Sequence, residues 1–132
     1  MKRPDDALQI LVDGWLHKAD QDLLAAERLQ KHEAVLGGIV AFHAQQAAEK
    51  YMKAVLTKHQ VEFPKTHDLG VLVTLLMRVR PSVGADLAQV TVLTDYGVEV
   101  RYPGDLPDLD AVEVQKAIEM VYHTKATLMT LL

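Results

Sequence analysis

Proline and glycine divide this chain of 132 residues into segments of helical length. Between these interruptions apolar side chains recur every three or four residues, which is typical of amphipathic helices. The interruptions fall at Pro4, Gly37–Gly38, Pro64, Pro81, Pro103–Gly104 and Pro107. The pattern predicts an all-α fold in which residues 1–132 form one domain, a five-helix antiparallel up-and-down bundle.

Capping residues set the expected bounds of the first two helices. The first helix is predicted to begin after Pro4, with Asp5 or Asp6 as its N-cap, and to continue to about Lys31. The second is predicted from about residue 35 to residue 59, because Gly37 and Gly38 mark a helix boundary and a turn follows.

The second half of the chain is predicted to form three more helices. Thr66 or Asp68 can cap the third, which Pro81 ends, and Asp108 or Asp110 can cap the last. The segment "QVTVLTDYGVEVRY" (residues 89–102) is ambiguous, because its β-branched residues also allow a hairpin. A lone hairpin would need another strand to pair with, so a fourth helix is favoured.

Composition excludes several classes of protein. The net charge is -4 and the pI is about 5.8, so extended nucleic-acid binding is not expected, although a local basic pocket is allowed. Cysteine is absent, which excludes disulfides and cysteine zinc sites. The N-terminus lacks the pattern of a signal peptide, and no apolar run approaches the ~18 residues of a membrane span. A soluble cytoplasmic protein without a membrane partner is expected.

The second helix, "AFHAQQAAEKYMKAVL" (residues 41–56), has two different sides. Small and apolar residues share one arc, which suggests a central helix, and a polar stripe shares the other. The stripe is formed by His43, Gln46, Lys50, Lys53 and Thr57. It is either a binding surface or a solvated face carrying one Glu49–Lys53 pair, and composition alone favours the solvated face.

Two short stretches add groups that suit phosphate. "FPKTHDLGVL" (residues 63–72) places Lys65 and His67 at the start of a helix, where the dipole favours an anion, although His67 alone could simply cap or pack. "VEVRYPGDLP" (residues 98–107) holds Arg101, whose guanidinium can fork onto phosphate or form a structural ion pair.

Taken in order, four motifs resemble the HEPN family, named for higher eukaryotes, prokaryotes and nucleotide binding. They are "WLHKADQDLLAAERL", "FHAQQAAEKYMKAVL", "PKTHDLGVL" and "RYPG". The resemblance covers nearly the whole chain and implies a helical bundle that forms homodimers. Family members often occur beside a minimal nucleotidyltransferase, and some bind nucleotides. No metal and no cofactor is expected.

The resemblance also implies a polar site. Its expected members are Lys50, His67, Arg101 and Tyr102, and Lys53 and Lys65 complete the predicted nucleotide or phosphate site. Whether this cluster binds a ligand or is purely structural stays open at this point.

Many HEPN domains are ribonucleases, often toxins of toxin–antitoxin pairs, that use an Arg-x4–6-His motif at the dimer interface. Arg101 departs from this pattern, because Leu106, Pro107 and Asp108 occupy the positions where histidine would be needed. A binding module is therefore preferred to an endoribonuclease, and no catalytic residue is predicted.

Overall fold

The chain folds into helices joined by short turns. The computed structural model describes residues 3–31, 36–97 and 109–132. Its elements are α1 (Pro4–Gln30), α2 (Gly37–Lys58), α3 (Leu69–Leu76), α4 (Val83–Asp86), a 3-10 helix (Gln89–Gly97) and α5 (Ala111–Met129). The described residues contain no β-strand. The predicted all-α helical bundle is therefore confirmed.

The start of α1 differs from the expectation. Pro4 itself occupies the first helical position, so Arg3 is the N-cap and the prediction of Asp5 or Asp6 is wrong. Both aspartates lie in the first turn, where the helix dipole favours negative charge. Asp6 accepts a hydrogen bond from the Arg3 backbone N–H at 3.3 Å, which completes the cap.

Two of the proposed capping aspartates do cap helices. Asp68 accepts hydrogen bonds from the backbone N–H groups of Gly70 at 2.8 Å and Val71 at 3.3 Å at the start of α3. Asp110 accepts one from Glu113 N–H at 2.8 Å at the start of α5. At the start of each of these two helices, a side-chain oxygen thus accepts hydrogen bonds from backbone N–H groups that have no partner within the helix.

The fourth predicted helix is broken into α4, a single turn, and the 3-10 helix. Val90 and Leu93 are buried, three residues apart, which matches the three-residue period of a 3-10 helix. The hairpin alternative is therefore wrong as far as Gly97, and residues 98–102 lie outside the described residues.

The central element is α2, whose predicted apolar arc is buried throughout. Its members are Ala44, Ala47, Ala48, Tyr51, Ala54 and Val55. α1 runs antiparallel to α2, because Lys58 donates to Gln9 at 3.3 Å while His43 pairs with Asp22 at 2.9 Å near the opposite end. Within the described ranges no helix has both the length and the apolar character needed to cross a membrane.

Candidate functional site

A buried carboxylate, Glu49 of α2, is the centre of a polar network. Its side chain is 4% exposed and receives Lys53 Nζ at 3.0 Å on Oε2 and His67 Nδ1 at 2.7 Å on Oε1. Gln45 Nε2 lies 3.4 Å from Oε1 and is itself buried. Because a carboxylate only accepts, Nδ1 of His67 carries a proton. We call these four residues the Glu49 network.

Two elements other than α2 hold this network in place. The three α2 members are spaced by four residues, so they share one face of the helix. His67 comes from the turn before α3, and its backbone carbonyl accepts a hydrogen bond from Gln45 Nε2 at 2.9 Å. Leu69, the first residue of α3, donates its N–H to the side chain of Thr94 in the 3-10 helix at 3.1 Å. The backbone around His67 is thus held by α2 on one side and by the 3-10 helix on the other.

The ammonium group of Lys53 is enclosed by the protein. Its side chain is 9% exposed, and Nζ lies 5.5 Å from the centre of the Trp15 ring and 5.7 Å from that of Phe63. The two rings meet edge to face, with centroids 6.3 Å apart. Lys53 is therefore compensated by Glu49 and two aromatic rings, and its charge is not free for a ligand.

Gly97, the last residue of the 3-10 helix, packs against the same network. A Cβ placed on this glycine would lie 2.6 Å from Cδ of Gln45. Only glycine permits so close an approach of backbone to a buried amide. The last described residue before Arg101 is therefore in contact with the Glu49 network.

Lys50 belongs to a different cluster. It pairs with Asp22 of α1, and the same carboxylate receives Nδ1 of His43 at 2.9 Å. The side chains of His43 and Lys50 are mostly buried, at 28% and 21% exposed. Together with the enclosed Lys53, these contacts show that the interpretation of the polar stripe as a solvated face is wrong, because α1 packs beside it.

A third polar cluster joins α1, α2 and α5. Asp20 accepts hydrogen bonds from the Tyr51 hydroxyl and from Lys125 Nζ, the latter at 3.0 Å. Burial opposes ionisation of Asp20, but the two hydrogen bonds outweigh it and hold the pKa of this carboxyl below its ordinary value. Burial raises the pKa of Tyr51 well above its ordinary value, and the hydrogen bond to Asp20 raises it further. This cluster keeps a neutral tyrosine in the core.

The predicted site residues thus divide. Lys53 and His67 meet on one carboxylate. Lys65 is exposed and forms no hydrogen bond or ion pair with the described residues. Arg101 and Tyr102 lie outside the described residues.

Two parts of this arrangement were not predicted from the sequence. Gln45 was given no role, although Gln45, Glu49 and Lys53 form a polar row at four-residue spacing beside the buried apolar arc of α2. Asp20 and Asp22, which border the apolar stripe of α1, were not identified either. Ionisable residues at the edge of a buried stripe are a signal that could have identified both.

Other parts of the described chain were considered as ligand or metal sites. A surface cleft of about 430 Å³ lies between α5 and the α4–3-10 region and contains none of the predicted site residues. Among residues 3–31, 36–97 and 109–132, no three His, Asp or Glu side chains are grouped so that they could hold a metal ion.

The fold and the Glu49 network define an all-α bundle with a buried polar centre. The sequence model of the HEPN domain matches residues 12–126. The chain belongs to the HEPN family.

A solved structure is similar over nearly the full length. The crystal structure of an archaeal HEPN homologue superposes with a TM-score of 0.71 and 22% identity, covering 98% of each chain. At this identity the similarity establishes the shared fold alone. A comparison with curated proteins found no match.

Proposed function

We propose that the protein is a HEPN binding module that holds a phosphate group, as part of a nucleotide, at the exposed rim of the Glu49 network. The observation that carries this proposal is the position of His67. Its side chain is 65% exposed although its Nδ1 is anchored on a buried carboxylate. Nε2 has no hydrogen-bond partner among the described residues. The ring therefore turns Nε2 toward solvent, and an imidazole protonated on both nitrogens would donate a hydrogen bond from this atom to a phosphate oxygen.

The local charge favours an anion. Lys53 neutralises Glu49, so the buried part of the network is balanced without His67. Lys65, two residues before His67, adds an exposed positive charge with no ion-pair partner in the described parts of the chain. Cations that are not already paired are the ones available to an incoming phosphate.

Chain connectivity allows Arg101 to join this rim. Gly97 touches Gln45, and Arg101 lies four positions further along the chain. Four residues span at most about 14 Å, so the guanidinium can reach the network, with Tyr102 beside it. Lys50 is left out of the proposed site, because Asp22 already neutralises it.

Family membership supports the part of the proposal that concerns protein partners. We expect a homodimer and a minimal nucleotidyltransferase partner, since domains of this kind often occur together. A binding module is preferred to a nuclease because Arg101 has no histidine at the family's catalytic spacing.

Thermal unfolding in the presence of ligand tests the proposal. AMP at ~100 times its dissociation constant should add about 2.7 kcal/mol of stability. His67→Gln, Lys65→Gln and Arg101→Gln should each weaken this stabilisation, and Lys116→Gln, which removes an exposed lysine of α5, should not. No stabilisation by AMP, ATP or inorganic phosphate at millimolar concentration would remove the basis for the proposal.

A further inference from the structure

The cleft of about 430 Å³ between α5 and the α4–3-10 region has the size and the apolar floor of a small-molecule site. Leu87 and Val90 line it from one wall and are 1% and 2% exposed. Met120 adds an apolar side chain from α5. None of the lining residues belongs to the Glu49 network, so a ligand bound in this cleft would be a second one.

Two uncharged polar groups of the cleft have hydrogen-bond acceptors to spare. His123 Nε2 lies 3.0 Å from the backbone carbonyl of Asp86, so Nε2 carries the proton and Nδ1 of a neutral ring is left as an acceptor. The buried Thr124 hydroxyl donates to the Met120 carbonyl at 2.8 Å, so its oxygen can still accept a hydrogen bond. A ligand that complements these groups must be a hydrogen-bond donor.

The charges of the cleft favour a cation. Asp86, at the end of α4, and Glu119, on α5, line it from different elements, and neither carboxylate forms an ion pair with the described residues. Glu119 accepts only a hydrogen bond from the Gln115 amide at 3.1 Å. Lys116 is the single lysine or arginine among the lining residues that the structure describes. Two carboxylates against one ammonium group leave the cleft with a net negative charge.

We infer that this cleft binds a short aliphatic diamine, with one ammonium group at Asp86, the other at Glu119 and the carbon chain on the apolar floor. Glu119 lies one turn, about 6 Å along the helix axis, from His123, which itself contacts Asp86. An ammonium group donates up to three hydrogen bonds, so His123 and Thr124 can accept those that the carboxylates do not. No three His, Asp or Glu side chains of the described chain are grouped to hold a metal ion, which favours two separate ammonium groups.

Isothermal titration calorimetry of the purified chain with putrescine, a four-carbon diamine, tests this inference. Asp86→Asn and Glu119→Gln should each weaken binding by about tenfold, which corresponds to about 1.4 kcal/mol. Lys116→Gln removes the cation that repels the ligand, so it should tighten binding by about threefold. Asp95→Asn alters an exposed carboxylate of the 3-10 helix that does not line the cleft, and it should leave the affinity unchanged.

Butylamine, with the same carbon chain and one ammonium group, and Mg²⁺, with the same charge and no carbon chain, are the matched ligands. Both should bind more weakly than putrescine. In NMR spectra putrescine should shift the backbone amide signals of residues 86–90 and 116–124 and leave that of Glu49 in place. Equal affinity for the three ligands, an affinity that neither Asp86→Asn nor Glu119→Gln lowers, or no heat and no shifts at millimolar putrescine would each overturn the diamine site. None of these results bears on the proposed phosphate site, which shares no residue with the cleft.

Discussion

Replacing Glu49 by glutamine tests whether the buried network is as costly to disturb as its geometry indicates. An exposed glutamate–lysine pair four residues apart contributes only about 0.2–0.5 kcal/mol. Here the two side chains are 4% and 9% exposed, so removing the carboxylate charge leaves the Lys53 ammonium uncompensated in the protein interior. Breaking a buried ion pair from one side costs about 3–5 kcal/mol. The losses of stability expected for an exposed pair and for a buried pair therefore differ roughly tenfold.

Urea unfolding followed by fluorescence measures this cost. Trp15 is the sole tryptophan, and its ring centre lies 5.5 Å from Lys53 Nζ, so the signal reports on the network itself. Circular dichroism provides the global transition. For a domain of this size, a loss of 3–5 kcal/mol corresponds to a fall in Tm of roughly 10–20 °C.

Two further variants complete the experiment. Glu119→Gln alters an exposed carboxylate that accepts a hydrogen bond from Gln115 four residues away, and it should change stability by less than about 0.5 kcal/mol. Glu49→Gln combined with Lys53→Met removes both buried charges and should recover most of the loss. If Glu49→Gln costs no more than the Glu119 control, the buried-charge argument is refuted.

Three other outcomes are expected. Gly97→Ala should destabilise the fold by about 1–3 kcal/mol, because the new Cβ displaces the buried Gln45 amide; unchanged urea unfolding would contradict this. Since the pKa of Tyr51 is raised on folding, its contribution is fully present below about pH 10 and is lost as the pH rises further; Tyr51→Phe should therefore flatten the alkaline decline in unfolding free energy. The purified protein should leave single-stranded and structured RNA intact on gels, and cleavage abolished by Arg101→Ala would reverse that expectation.

Local signals in the sequence were sufficient for the helices. The aspartates at positions 68 and 110 act within a turn of their own position, so their effects can be predicted without tertiary structure. The prediction that Pro81 ends α3 is wrong, because the helix ends at Leu76, five residues earlier. The 3-10 helix was harder, because β-branched residues weaken the preference for an α-helix and Val90 and Leu93 take their conformation from burial against α2. The N-cap at Arg3 was not predicted. Pro4 occupies the first helical position, so the helix begins before Asp5 and Asp6, although aspartate is itself a preferred N-cap residue.

The site could be predicted only in part, because its partners are distant in sequence. The Glu49–Lys53 pair was visible at four-residue spacing, but its burial was not, since one helix alone does not reveal what packs on its polar side. His67 reaches Glu49 across 18 residues, and Lys50 reaches Asp22 across 28. The periodicity of a single helix therefore placed Lys50 and Lys53 on one face, but it could not reveal that Asp22 pairs with Lys50 or that His67 joins Glu49.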